Sequence, residues 1–129
     1  MRFLGTAHYY SALDELGVVN LGKGMMFANV GTLGVKPGHR DEVVAILTRR
    51  STDLDGAGCL SYEVGVSDEH PTTVFVSELW VSAEAHQASL QLASVQAAIT
   101  EAMPLLSGEM GGHGFDVVGS PLREQPHST

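Results

Sequence analysis

Cysteine is almost absent: Cys59 is the only one in 129 residues. No intrachain disulfide can staple the fold, and the usage fits a reducing cytoplasm. Basic residues are scarce as well. Seven Lys and Arg face fifteen Asp and Glu, a formal net charge of −8. A surface so acidic excludes nucleic acid as the expected partner and disfavours anionic membranes. No stretch approaches the roughly 20 apolar residues needed to cross a bilayer. The opening Met1-Arg2-Phe3-Leu4-Gly5-Thr6 lacks the sustained apolar run of a secretory leader, so a cytoplasmic location is expected. Internal repeats, low-complexity tracts and the glycine fingerprints of phosphate-binding loops are missing. No two histidines have a metal-ligand spacing such as i, i+4 on one helix, so no metal is expected.

What is present is a globular composition. Apolar residues make up 43% and charged residues 17%. A chain of this size buries about two-thirds of the surface that its unfolded form exposes. Residues 1–24 read as an N-terminal extension, with Ser11 capping a short helix and Gly22-Lys23-Gly24 as a hinge. Tyr9, Leu13 and Leu16 share a helical stripe, so the extension is expected to dock on the body. Residues 25–119 read as the domain and 120–129 as a polar tail.

Within the domain, β-branched and aromatic content predicts a strand over 25–35. A helix follows from about His39 to Asp53, with Val43, Val44, Ile46 and Leu47 on one stripe. Asp41 and Glu42 fall in its first turn and Arg49 and Arg50 in its last, which complements the helix dipole. Strands are predicted over 59–66 and 72–81, joined by a polar loop as an antiparallel hairpin. Ser82 is the expected N-cap of a helix to about Leu92, and a second helix runs from about Ser94 to Leu106. Gly108 to Gly114 read as a flexible connection before a short strand, Phe115 to Val118.

Strand, helix, strand, strand, helix, strand is the split βαβ order of an α+β, ferredoxin-like fold. Its antiparallel sheet carries helices on one face only. The other face needs a cover, and Val64, Val66 and Val74 are among the residues expected on it. Two such sheets packed face to face form a dimeric α+β barrel, so a homodimer is expected.

The segments Val35-Lys36-Pro37-Gly38, Gly58-Cys59-Leu60-Ser61-Tyr62-Glu63-Val64 and Glu78-Leu79-Trp80-Val81-Ser82-Ala83-Glu84-Ala85 lie in this order along the chain. Together with Pro104-Leu105-Leu106, they resemble the antibiotic-biosynthesis monooxygenase family over about residues 26–119. The resemblance implies a dimeric α+β barrel. Members of that family include cofactor-free quinol and anthrone monooxygenases, haem-degrading enzymes and small-molecule isomerases, so the resemblance implies the fold more narrowly than the reaction. Two family histidines have no counterpart here: Ala88-Ser89-Leu90 stands where Ala-His-Leu is usual, and the second falls near Ser94.

Six residues are candidates for the chemistry. Glu78 and Trp80 share strand parity and so point to one face. Trp80 is either a platform for an aromatic substrate or a core anchor. Glu78 is either a base with a raised pKa or a structural ion-pair partner. Asn29 is unusual in a strand interior, and could bond a substrate oxygen or be satisfied by backbone. The resemblance adds that haem-degrading members use an Asn and a Trp in similar places. His86 reads either as a general base or as a solvent-facing helix residue. Tyr62 and Phe27 are the expected substrate contacts. His39 and His70 are expected at the surface, whereas His8 and His113 fall in mobile-looking segments. Cys59, with no neighbouring His, is not expected to be a nucleophile.

The resulting expectation is a cofactor-independent monooxygenase acting with dioxygen on a quinol, anthrone or related phenolic, with no cofactor. The alternatives are a non-catalytic small-molecule-binding protein on the same barrel, and a haem-degrading enzyme. The last needs an axial histidine where Ser89 and Ser94 stand.

Overall fold

The computed structural model describes residues 25–124. The expected N-terminal extension, with its docking helix and His8, lies outside the described residues. Strand β1 spans Phe27–Val35, helix α1 Arg40–Leu47, helix α2 Thr52–Gly56, strand β2 Cys59–Gly65 and strand β3 Thr73–Trp80. Helix α3, Ala83–Ser89, and helix α4, Ala93–Ala102, follow. A 3-10 turn over Met103–Leu105 then leads into strand β4, Leu106–Asp116. The sheet order is β2-β3-β1-β4 with every neighbour antiparallel. This is the ferredoxin-like α+β arrangement that the element order predicts. Among the described residues, no helix is long and apolar enough to cross a membrane.

Alternation along the strands sends one set of side chains toward the helices. Leu33 and Val35 of β1 and Val74 of β3 pack with Val43 of α1, all buried, with Val64 and Val76 against them. Phe27 and Trp80 form a second buried pair with Leu54, Ala57 and Ala83 around it. Full burial of side chains of this size contributes roughly 1.5–3 kcal/mol each. Val64 and Val74 therefore belong to the helix side, not to the outer face expected for them. The outer face carries the opposite parity, on which Val30, Phe75, Leu79 and Phe115 fall.

The long first helix expected over 39–53 is two shorter ones. The Thr48 hydroxyl donates to the Val44 carbonyl at 2.7 Å, a local bond that competes with helix continuation. Arg49 and Arg50 consequently fall beyond the last turn of α1, in the corner before α2. Arg40 ties α1 to the hairpin by donating to the Ser67 carbonyl at 3.0 Å. The Ser82 hydroxyl caps α3, accepting from the Ala85 N–H at 3.0 Å, as its position predicts.

Strand β4 is the largest departure. Gly108, Gly111, Gly112 and Gly114 lie inside it rather than in a connection, and His113 pairs opposite Val30. A Cβ on Gly112 would collide with the Val30 carbonyl oxygen, and Gly112 adopts φ +139°. Glycine is what lets β4 approach β1 at this point.

Candidate active site

Strand register assembles the site. One transverse row of the sheet places Tyr62, Glu78, Asn29 and Gly114 on successive strands. Tyr62 reaches this row because a register shift between Cys59 and Ser61 inserts one extra residue into β2. The next row brings Trp80 opposite Phe27. Helix α3 lies above and contributes His86, which is 3% exposed.

Glu78 is the hub. Its Oε1 accepts from the Trp80 indole N–H at 2.9 Å, and its Oε2 accepts from the Asn29 amide at 2.9 Å. The His86 Nε2 stands 3.7 Å from Glu78 Oε1, too far for a direct hydrogen bond. Burial raises the Glu78 pKa above the ordinary carboxylate value, and the bonds from Trp80 and Asn29 oppose that rise. Burial also lowers His86 to about 4, so its ring is neutral at pH 7. Tyr62 is pushed upward by burial and then by the Glu78 charge, so its phenol keeps its proton.

These groups open onto a cleft of about 360 Å³ between the sheet and the helices. Asn29, Tyr62, Glu78, Trp80 and His86 all line it. Phe27 does not. It is buried behind the wall, with its ring 5.5 Å from that of His86. Trp80 meets the same imidazole edge-on, at 5.4 Å. Two aromatic neighbours thus fix the orientation of the His86 ring, and the expected substrate-contact role of Phe27 becomes one of support. His86 is correspondingly not the solvent-facing helix residue of the alternative reading. Cys59 packs in the second apolar cluster, and burial and then the Glu78 charge raise its thiol pKa. That environment keeps it in the unreactive thiol form.

Sequence reading passed over the opposite wall. Ser89 and Ser94 line the cleft where the family histidines were missed, and Arg49, Arg50 and Ser51 line it from the α1–α2 corner. Ser51 falls inside the helix expected over 39–53, so nothing in its spacing marked it as a cleft residue.

The sequence profile of the antibiotic biosynthesis monooxygenases matches residues 26–101, a span that includes Glu78 and the four residues around it, Asn29, Tyr62, Trp80 and His86. The chain belongs to the antibiotic biosynthesis monooxygenase family. A solved structure from Chloroflexus aurantiacus assigned to this family is 37% identical, with a TM-score of 0.64 over 74% of this chain and 95% of that one. One from Caulobacter crescentus with the same assignment is 25% identical, with a TM-score of 0.64 over 78% and 96%. A third, from Nitrosomonas europaea, shares the fold at 12% identity, with a TM-score of 0.66 over 74% and 92%. No curated protein matches the chain. Family membership supports a general monooxygenase-like role for the cleft.

Proposed function

We propose that this family member is a cofactor-independent monooxygenase that oxidises a small electron-rich aromatic, such as an anthrone or quinol, with dioxygen. One observation carries the reading: a buried carboxylate, Glu78, held by Trp80 and Asn29 at the wall of a half-open, mainly apolar cleft. In that setting the base is poised to remove a proton from an acidic C–H or phenol, because burial brings its pKa toward that of its task. For an anthrone, proton loss leaves an electron-rich enolate. The enolate reduces dioxygen, one oxygen atom bonds to the ring carbon, and the other leaves as water with the two hydrogens of the original methylene. The substrate supplies all the electrons, so the protein supplies position, a base and a dry site. Asn29 and Tyr62 offer donors to the developing oxyanion.

Oxygen-electrode assays with anthrones and quinols, with no flavin or metal added, test this. Uptake of one dioxygen per substrate is expected. Glu78→Gln should lower kcat by roughly a hundredfold or more, the usual size of a general-base contribution, while the melting temperature is retained. Silence across the panel overturns the reading.

A non-catalytic binding role is the second reading, favoured by the serines at 89 and 94 on the cleft wall. It predicts ligand-induced stabilisation without oxygen uptake.

A further inference from the structure

The cleft has two polar ends. At the inner end, both oxygens of the Glu78 carboxylate accept a hydrogen bond. At the outer end the α1–α2 corner presents three consecutive polar residues, and they are satisfied unevenly. Arg49 pairs with Glu101 of α4, Nη2 to Oε2 at 2.7 Å. Arg50, its neighbour, makes no hydrogen bond or ion pair among the described residues and lines the cleft. The Ser51 hydroxyl is buried, lines the cleft and has no hydrogen-bond partner. Nor does it cap the helix that it precedes: it accepts nothing from the backbone of α2. A buried hydroxyl left in this state costs free energy, which a bound acceptor would recover once the side chain turns about χ1 toward the cleft.

Charge sharpens the reading. In a chain with a formal net charge of −8, an anionic ligand is repelled from most of the surface. Yet Arg49 and Arg50, two of its few basic residues, both stand on this one cleft. Glu101 neutralises the first and leaves the second as an unopposed cation beside an unused hydroxyl donor. Arg is suited to a planar, two-oxygen acceptor, since its fork of N–H donors matches a carboxylate.

We propose that Arg50 and Ser51 form a specificity subsite for a carboxylate on the end of the substrate remote from Glu78, so that the preferred ligand is an aromatic acid. The proposal rests on the cleft being the aromatic site, and it deepens that reading by naming the substituent. Arg50 donates to the carboxylate, the Ser51 hydroxyl donates a second bond, and the ring system lies between them and the Glu78 row. The Arg49–Glu101 pair stands beside it without contacting the anion.

The test uses two probes of equal shape, anthracene-2-carboxylate and anthracene-2-carboxamide, titrated at pH 7.5. Quenching of Trp80, the only tryptophan, reports occupancy. The carboxylate is expected to bind roughly tenfold more tightly than the amide, the size of one charge-assisted hydrogen bond from an exposed guanidinium. Arg50→Gln should abolish that preference while leaving the melting temperature unchanged. Ser51→Ala should reduce it in part, and Arg49→Gln should retain it. Equal affinity of the two probes for the native chain overturns the subsite and leaves the aromatic cleft standing. A preference that survives in Arg50→Gln, or is lost in Arg49→Gln, also overturns it. Binding of neither probe overturns both the subsite and the cleft on which it rests.

Discussion

At the scale of single residues, burial decides the chemistry of the site. His86 is 3% exposed, and its pKa falls from 6.5 to about 4 because charging the ring would place a cation away from water. The unfolded chain therefore takes up a proton, as pH falls through that window, that the folded chain refuses. The stability contributed by the neutral ring is complete above pH 6.5 and declines as pH drops toward 4. The loss reaches about 3 kcal/mol at the acid limit. Glu78 works in the opposite sense. Its raised pKa favours the protonated fold, so its own contribution declines as pH rises through that raised value. Comparing the native chain with His86→Gln by denaturant unfolding across this range cancels the Glu78 part. The variant should lose less stability on acidification. Parallel curves would show that the imidazole is not held neutral by the fold.

The same residues show what was legible in the sequence. Glu78 and Trp80 are two apart on a strand, so their common face followed from parity alone. That Asn29 stands opposite Glu78 depends on the register between β1 and β3, which no local pattern encodes. Tyr62 reaches the site only through the extra residue in β2, and simple alternation places it on the opposite face from Cys59. His86 lies on a helix of seven residues, too short for periodicity to separate its buried face from its exposed one.

At the scale of elements, the predicted strands and caps held where a single local signal governed the segment. The β3 run and the Ser82 cap are of this kind. Prediction failed where two signals competed. The stripe of Val43, Val44, Ile46 and Leu47 pointed to a helix through Asp53, but the hydroxyl-rich stretch from Thr48 to Thr52 broke it. In β4, glycines that usually mark a loop serve a close strand contact instead. Two of them make a controlled comparison. Gly108 and Gly112 both have positive φ, at +97° and +139°, but a Cβ on Gly108 meets nothing within 4 Å whereas one on Gly112 meets the Val30 carbonyl. Gly108→Ala should therefore cost about 1–2 kcal/mol of backbone strain. Gly112→Ala should cost about 3 kcal/mol or more, since β4 must also move away from β1. Urea unfolding of the two variants measures the difference. Equal losses would mean that strain alone, not the approach of the strands, requires glycine at 112.

At the scale of the whole molecule, the sheet has one face that the described helices do not cover. On its outer parity lie Val30, Phe75, Leu79 and Phe115, and Phe115 is 49% exposed. Nearby, Val66 is 50% exposed and Leu60, the extra residue of β2, 52%. A sheet face of this composition is most simply covered by a second copy, because a two-fold axis sets the same apolar patch against itself. That is the expected homodimer, with the outer strand residues substituted for the Val64 and Val74 first assigned to it. Electrostatics gives the proposal a signature. Each copy carries a formal charge of −8, so association works against like-charge repulsion that salt screens over about 10 Å at 0.1 M. Apolar contact must then supply the attraction, and dimerisation should tighten as sodium chloride rises. Phe115→Glu places a further charge on the patch and should yield a monomer with its helices and cleft intact. Sedimentation velocity at micromolar concentration checks both expectations. A native chain that sediments as a monomer at low and high salt would remove the face-to-face barrel. The cleft would remain on the helix side of the sheet, since Asn29, Tyr62, Glu78 and Trp80 are all off the outer parity.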